Sequence, residues 1–107
     1  SVAAANRIPY KKGVYVGTQG PTFETVAEYK YFRLIGGDTC GMSTVPEIIV
    51  AHWAGIKCFG VSIVSNALGD ALNGIETNHE EVQHNTNIAK DNLKVLFREM
   101  VKAMQNL

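Results

Sequence analysis

The chain has no run of the roughly 18 apolar residues that a membrane-spanning helix requires, so no such helix is expected. Charge of neither sign prevails, because ten basic residues balance ten acidic ones. Without a basic surplus, neither a nucleic acid nor an anionic membrane is expected as a partner. Cysteine is scarce. Cys40 and Cys58 each lie in an apolar stretch, with no CxxC pair and no Cys/His cluster. That argues against a disulfide scaffold and against a zinc site. Two buried free thiols in a reducing compartment are the expectation, hence a cytoplasmic location. The opening "SVAAANR" has no initiator Met and no basic-then-apolar leader, and it reads as an internal segment. Also lacking are repeats, low-complexity tracts, a glycine-rich phosphate loop and a nucleophile visibly paired with a base. His52 and His84 read as helix-surface residues, with no case for a metal.

What is present suits one domain at most. Of the 107 residues, 46% are apolar and 19% charged, enough for a modest core. "GVYVGTQG" (13–20) is a β-branched run closed by Gly20-Pro21, a strand leading into a loop. Val26, Phe32 and Ile35 mark a helix over 25–35, stopped by Gly36-Gly37. "DTCGM" (38–42) reads as a second short strand, and 46–54 as a short helix ended by Gly55. "IKCFGVSIVS" (56–65) is the longest apolar run and reads as a central buried strand. Residues 66–77 read as loop. A long helix then runs from Asn78 to Gln105, with Val82, Thr86, Ala89, Leu93, Leu96, Met100 and Ala103 forming one stripe.

The order βαβαβ-loop-α predicts an α/β fold, a mostly parallel sheet flanked by helices. Ligands in such sheets collect where loops leave the carboxyl ends of strands. Three loops qualify: 18–24, 41–45 and 65–77.

Each predicted helix opens on Ser/Thr-x-x-Glu: Thr25 with Glu28, Thr44 with Glu47, and Thr77 with Glu80. In this capping box the hydroxyl accepts from the third residue's N–H, and the glutamate reaches back to the cap N–H. Glu28 is thereby given a structural role. Four neighbouring polar residues are not: Glu24, Ser43, Asn66 and His79. All lie where the ligand-side loops are expected. Each also has a plain reading: a solvated loop carboxylate, a turn serine, a turn asparagine and a surface histidine in a first helical turn. The residues by themselves outline a site without specifying its chemistry.

The motifs "GVYVGTQGPTFETVAEY", "GGDTCGMSTVPEIIVAHWAGIKCFGVSIVSN" and "NHEEV" resemble the trimeric, low-molecular-mass purine nucleoside phosphorylases. The resemblance runs over nearly the whole chain from Gly13. It implies a mixed, partly barrel-like sheet with helices around it, of which residues 1–107 would be the C-terminal part of a single domain. It implies reversible phosphorolysis of 6-oxopurine nucleosides such as inosine and guanosine, in purine salvage. Phosphate is then a co-substrate, and neither a metal nor an organic cofactor is implied.

Residue by residue, the resemblance implies that Glu24 accepts from the purine N1–H, which suits a group that can only accept. Phe23 packs on the base, and Cys40, Gly41 and Ser65 line its pocket. Asn66 bonds the 6-oxo group and N7, a contact that strengthens as charge flows into the departing base. Met42 lies against the base and the ribose, His79 holds the 5′-hydroxyl, and Ser43 bonds phosphate at a helix start. Ser65 stands where many members have Thr, and Ala67 where mammalian members have Lys. The related methylthioadenosine phosphorylases carry Asp at the position of Asn66, so Asn66 favours 6-oxopurines over that alternative. The family's other phosphate ligands, its ribose-stacking Tyr and a Phe lent by a neighbouring subunit lie in sequence outside these residues. The isolated segment is therefore expected to be inactive. The other alternative is a non-catalytic α/β segment of a larger assembly.

Overall fold

The computed structural model describes residues 1–68, 72–75 and 78–105. The chain divides into two compact units, one made of Ser1–Lys12 with Asn78–Leu107 and the other of Gly13–Thr77.

The second unit is built on a βαβα sequence: β1 (Tyr15–Gly17), α2 (Val26–Leu34), β2 (Thr39–Gly41) and α3 (Val45–Trp53). Parallel neighbours need a crossover, and α2 supplies it. Tyr15 pairs with Thr39, Val16 with Cys40 and Gly17 with Gly41, so both strands end at the same level. Asp38 aligns their starts: its Oδ2 accepts from the Val14 N–H at 2.8 Å, while its own N–H donates to the Val14 carbonyl at 2.9 Å. The parallel pair flanked by helices agrees with the expected α/β class, although β1 is shorter than the run 13–20.

Helix α2 begins as expected. Thr25 is its N-cap, and both halves of the capping box form. The Thr25 hydroxyl accepts from the Glu28 N–H at 3.3 Å, and the Thr25 N–H donates to Glu28 Oε2 at 2.7 Å. Helices α2 and α3 close by one device. The N–H of Gly36 returns to Arg33 and that of Gly37 to Phe32; the N–H of Gly55 returns to His52 and that of Ile56 to Ala51. This is the Schellman closure, and Gly36 and Gly55 occupy its left-handed position at φ 93° and 73°.

Several expectations about this unit fail. The box at Thr44 does not form, since its side chain makes no cap hydrogen bond to α3. Thr44 sits at φ 73°, ψ −52°, and its hydroxyl lies 3.1 Å from Ser43 Oγ instead. The run 56–65 forms no strand among the described residues. A strand exists only through a partner's backbone, and β1 and β2 pair with each other alone. Propensity marked this run as suited to a pleated, half-covered surface. Ile56, Phe59 and Val64 instead stand exposed. Cys58 is exposed as well, so only Cys40, half-buried, approaches the buried thiol expected of both. Leu68 and Leu72 are helical within the stretch read as loop.

The first unit pairs α1 (Val2–Ala5) with α4 (His79–Met104). The cap of α4 is Asn78, whose side chain accepts from the Glu81 N–H at 2.9 Å. Thr77, expected as the cap, lies outside the described residues. The register of the stripe holds: Leu96 is buried, and Val82, Ala89, Leu93 and Met100 are half-buried. Thr86 and Ala103 are exposed, and the Thr86 hydroxyl donates back to the Val82 carbonyl at 2.7 Å. Ala3 of α1 is buried too. No helix among the described residues is long and apolar enough to cross a membrane.

Candidate active site

The equal strand ends place the loops after β1 and β2 side by side. The Thr18 N–H continues the ladder to the Gly41 carbonyl at 2.8 Å. The space above Gly20 is taken by Met42 Sδ, and that above Gly41 by the Tyr15 hydroxyl. A side chain at Gly41 would displace that hydroxyl, so the close approach favours glycine there.

Glu24 is half-buried between these loops. Its Oε1 accepts from Thr18 Oγ1 at 2.8 Å. The carboxylate is thus oriented from the end of β1, in addition to the capped helix start behind it. Asn66 reaches the same neighbourhood from the far end of the 56–65 run. Its Nδ2 donates to Tyr29 Oη at 3.4 Å, and its Oδ1 accepts from Ser65 Oγ at 3.0 Å. Burial raises the pKa of the Tyr29 hydroxyl, the Asn66 bond lowers it, and the nearby Glu24 carboxylate raises it. Glu24, Tyr29 and Asn66 therefore lie together, the last two joined by a hydrogen bond.

Cys40 lines this group from β2. Burial, then the charges of Glu24 and Glu28, push its thiol pKa up. It stays a neutral thiol, a wall rather than a nucleophile. Phe23 and Met42 are 43% and 42% exposed, apolar surfaces free to meet a ligand.

A second polar group forms at the start of α3. Ser43 Oγ lies 3.1 Å from Thr44 Oγ1 and 3.5 Å from Tyr15 Oη, and the Ser43 N–H donates to Tyr15 Oη at 3.4 Å. The Val45 N–H turns back to the Ser43 carbonyl at 2.8 Å, which makes Ser43–Val45 a γ-turn centred on Thr44. Positive φ at its centre is the rarer and more strained form. This turn consumes one amide donor of the helix start, and Pro46 has none to offer. Hydroxyls, more than helix amides, are the donors presented here.

Nearly all the residues singled out in the sequence thus fall in the sheet-bearing unit, at the carboxyl ends of its strands. His79 belongs to the helical unit, as the exposed first residue of α4, with its Nε2 3.0 Å from Gln83 Nε2. Sequence reading missed Thr18, Tyr15 and Tyr29. A signal for Tyr29 existed: it lies midway between Val26 and Phe32 on the half-buried face of α2. Tyr15 and Thr18 carried none, since only the strand register shows what they meet.

A family model described as "Phosphorylase superfamily" matches residues 1–102. Among curated proteins, the chain is 42% identical over 103 residues to "Purine nucleoside phosphorylase 1" of Bacillus subtilis, covering 96% of this chain and 36% of that protein. It is 47% identical over 73 residues to "Purine nucleoside phosphorylase" of Rattus norvegicus, covering 67% of this chain and 25% of the relative. Among solved structures, isoform 2 of purine nucleoside phosphorylase from Schistosoma mansoni, in complex with cytosine and ribose-1-phosphate, superposes with a TM-score of 0.90 at 37% identity. That likeness covers 94% of this chain and 36% of the other. The chain therefore spans about a third or less of the length of the relatives described here.

Proposed function

From the premise that this chain belongs to the phosphorylase superfamily, we propose that it forms the C-terminal part of a single-domain purine nucleoside phosphorylase. The reaction is reversible phosphorolysis: a phosphate oxygen bonds to C1′ of the ribose, the C1′–N9 bond breaks, and the bond electrons leave with the purine. The products are free base and ribose 1-phosphate. The observation that carries this reading is the polar group beside the strand ends, where the carboxylate of Glu24, held by Thr18, and the amide of Asn66, held by Tyr29, lie near each other.

The proposed roles follow from what each group can offer. Glu24 accepts from N1–H, and in guanine from the 2-amino group as well, both donors. Asn66 donates to the 6-oxo group and exchanges a hydrogen bond with N7, stabilising negative charge as the base departs. Phe23 stacks on the base, with Cys40, Gly41 and Ser65 as lining. Met42 gives the base and ribose an apolar, adaptable surface. Ser43 binds phosphate among its neighbouring hydroxyls, and His79 holds the 5′-hydroxyl. Phosphate is a co-substrate, with no metal or organic cofactor in the scheme. The complete protein acts as a homotrimer in the cytoplasm, in purine salvage.

Preference for 6-oxopurines rests on Asn66, whose amide can donate to an oxo group. Schistosoma enzymes at 35% identity have been solved with hypoxanthine, with guanosine and with adenosine, so occupancy by itself does not define the preference. The test is phosphate-dependent cleavage of inosine against adenosine by the complete protein. Inosine should be strongly preferred; equal turnover of adenosine refutes the 6-oxo assignment, and no turnover of either refutes the reading as a whole. The 107-residue chain alone should cleave neither.

A further inference from the structure

Tyr29 is not among the residues given a role above, yet it lies between the two that read the base. It projects from α2 one turn beyond the capped Thr25, half-buried. Its hydroxyl receives the Asn66 amide at 3.4 Å, across 37 positions of sequence, and the charge of the nearby Glu24 carboxylate is felt there. We infer that Tyr29 is a positioning residue, whose hydroxyl fixes the rotational sense of the Asn66 amide relative to Glu24.

The sense follows from the donor inventory. A carboxylate has no hydrogen to give, so the charge of the nearby Glu24 draws the Tyr29 O–H toward it. The phenol oxygen is then left to accept, and Asn66 must present its Nδ2. At the other end of the amide, Oδ1 accepts from Ser65 Oγ at 3.0 Å. Nitrogen toward Tyr29 and oxygen toward Ser65 are thus distinguished by the acceptor role of the phenol oxygen. Without the phenol oxygen, the preference for nitrogen at this end is weakened, and an amide turned over would face a 6-oxo group with its own oxygen, acceptor against acceptor.

This inference rests on the proposed reading of the site as a purine site, and the test separates the two. Tyr29→Phe in the complete protein keeps the ring and removes the hydroxyl. The parent and variant are titrated calorimetrically with hypoxanthine and, separately, with ribose 1-phosphate. The dissociation constant for hypoxanthine should rise roughly threefold to tenfold, the weight of one net hydrogen bond, with that for ribose 1-phosphate unchanged. A merely structural role would reduce the number of competent sites for both ligands without this split. Equal constants for hypoxanthine in parent and variant, or equal rises for both ligands, overturn the role of Tyr29 and leave the enzyme reading intact. A parent that fails to bind hypoxanthine overturns the reading and the inference together.

Discussion

Replacing Glu24 by Gln changes charge and hydrogen-bond sense at the centre of the site with little change of shape. The carboxylate offers about four lone-pair directions. Thr18 takes one at 2.8 Å. In Glu24→Gln the amide oxygen can keep the Thr18 bond, but an NH₂ group then faces the purine edge, where N1–H is also a donor. The charge-assisted bond, worth about 1.5–3 kcal/mol, is lost and a donor–donor contact replaces it. At about 1.4 kcal/mol per factor of ten, kcat/KM for inosine should fall roughly 10- to 150-fold. The assay is steady-state phosphorolysis by the complete protein, with hypoxanthine release followed by coupled oxidation. Thr25→Ala is the control, because it acts on the same loop through the cap: it should cost about 1 kcal/mol of stability and leave kcat/KM unchanged. If Glu24→Gln matches the parent, or Thr25→Ala loses as much activity as Glu24→Gln, the separation of base reader from helix cap is refuted.

Glu28 is held below its ordinary pKa of 4.5 by the backbone and then the side chain of Thr25. Its contribution is therefore complete above that value and is lost as pH falls through the depressed one; a thermal midpoint followed downward from pH 6 should show this loss, and Thr25→Ala should diminish it. Thr44→Ala should destabilise less than Thr25→Ala in chemical denaturation, because among the described residues the Thr44 hydroxyl bonds only to Ser43, and it does not cap α3. Asn66→Asp should shift the ratio of kcat/KM toward adenosine over inosine, since a carboxyl suits a 6-amino group; an unchanged ratio would remove Asn66 from reading that position.

Legibility differed from element to element for physical reasons. The C-terminal ends of helices α2 and α3 were readable because glycines sit where a left-handed residue is needed. Helix α1 closes in the same way, with N–H groups of Arg7 and Ile8 returning to Ala4 and Ala3, but Arg7 itself takes the left-handed position at φ 56°. No glycine announces that end, and α1 went unseen. The Thr44 box looked identical in sequence to the Thr25 box. The γ-turn at Ser43–Val45 rotates the threonine away from the cap, and one-dimensional spacing does not report that rotation.

The sequence by itself determined the local grammar of this protein: the crossover helix between two short strands, the box at Thr25, the glycine stops, the stripe of α4 and the motifs that carry the family. These depend on contacts within about one turn or on side-chain types in order. Only the tertiary structure decided which backbones pair and which polar groups share a partner. It left the most β-prone run without a ladder, because pairing needs a neighbour and not merely propensity. It also made Thr18 and Tyr29 the supports of Glu24 and Asn66. Those supports are set by the level at which two parallel strands end and by the side of α2 that faces them, distances that close only when residues 18, 24, 29 and 66 are folded together.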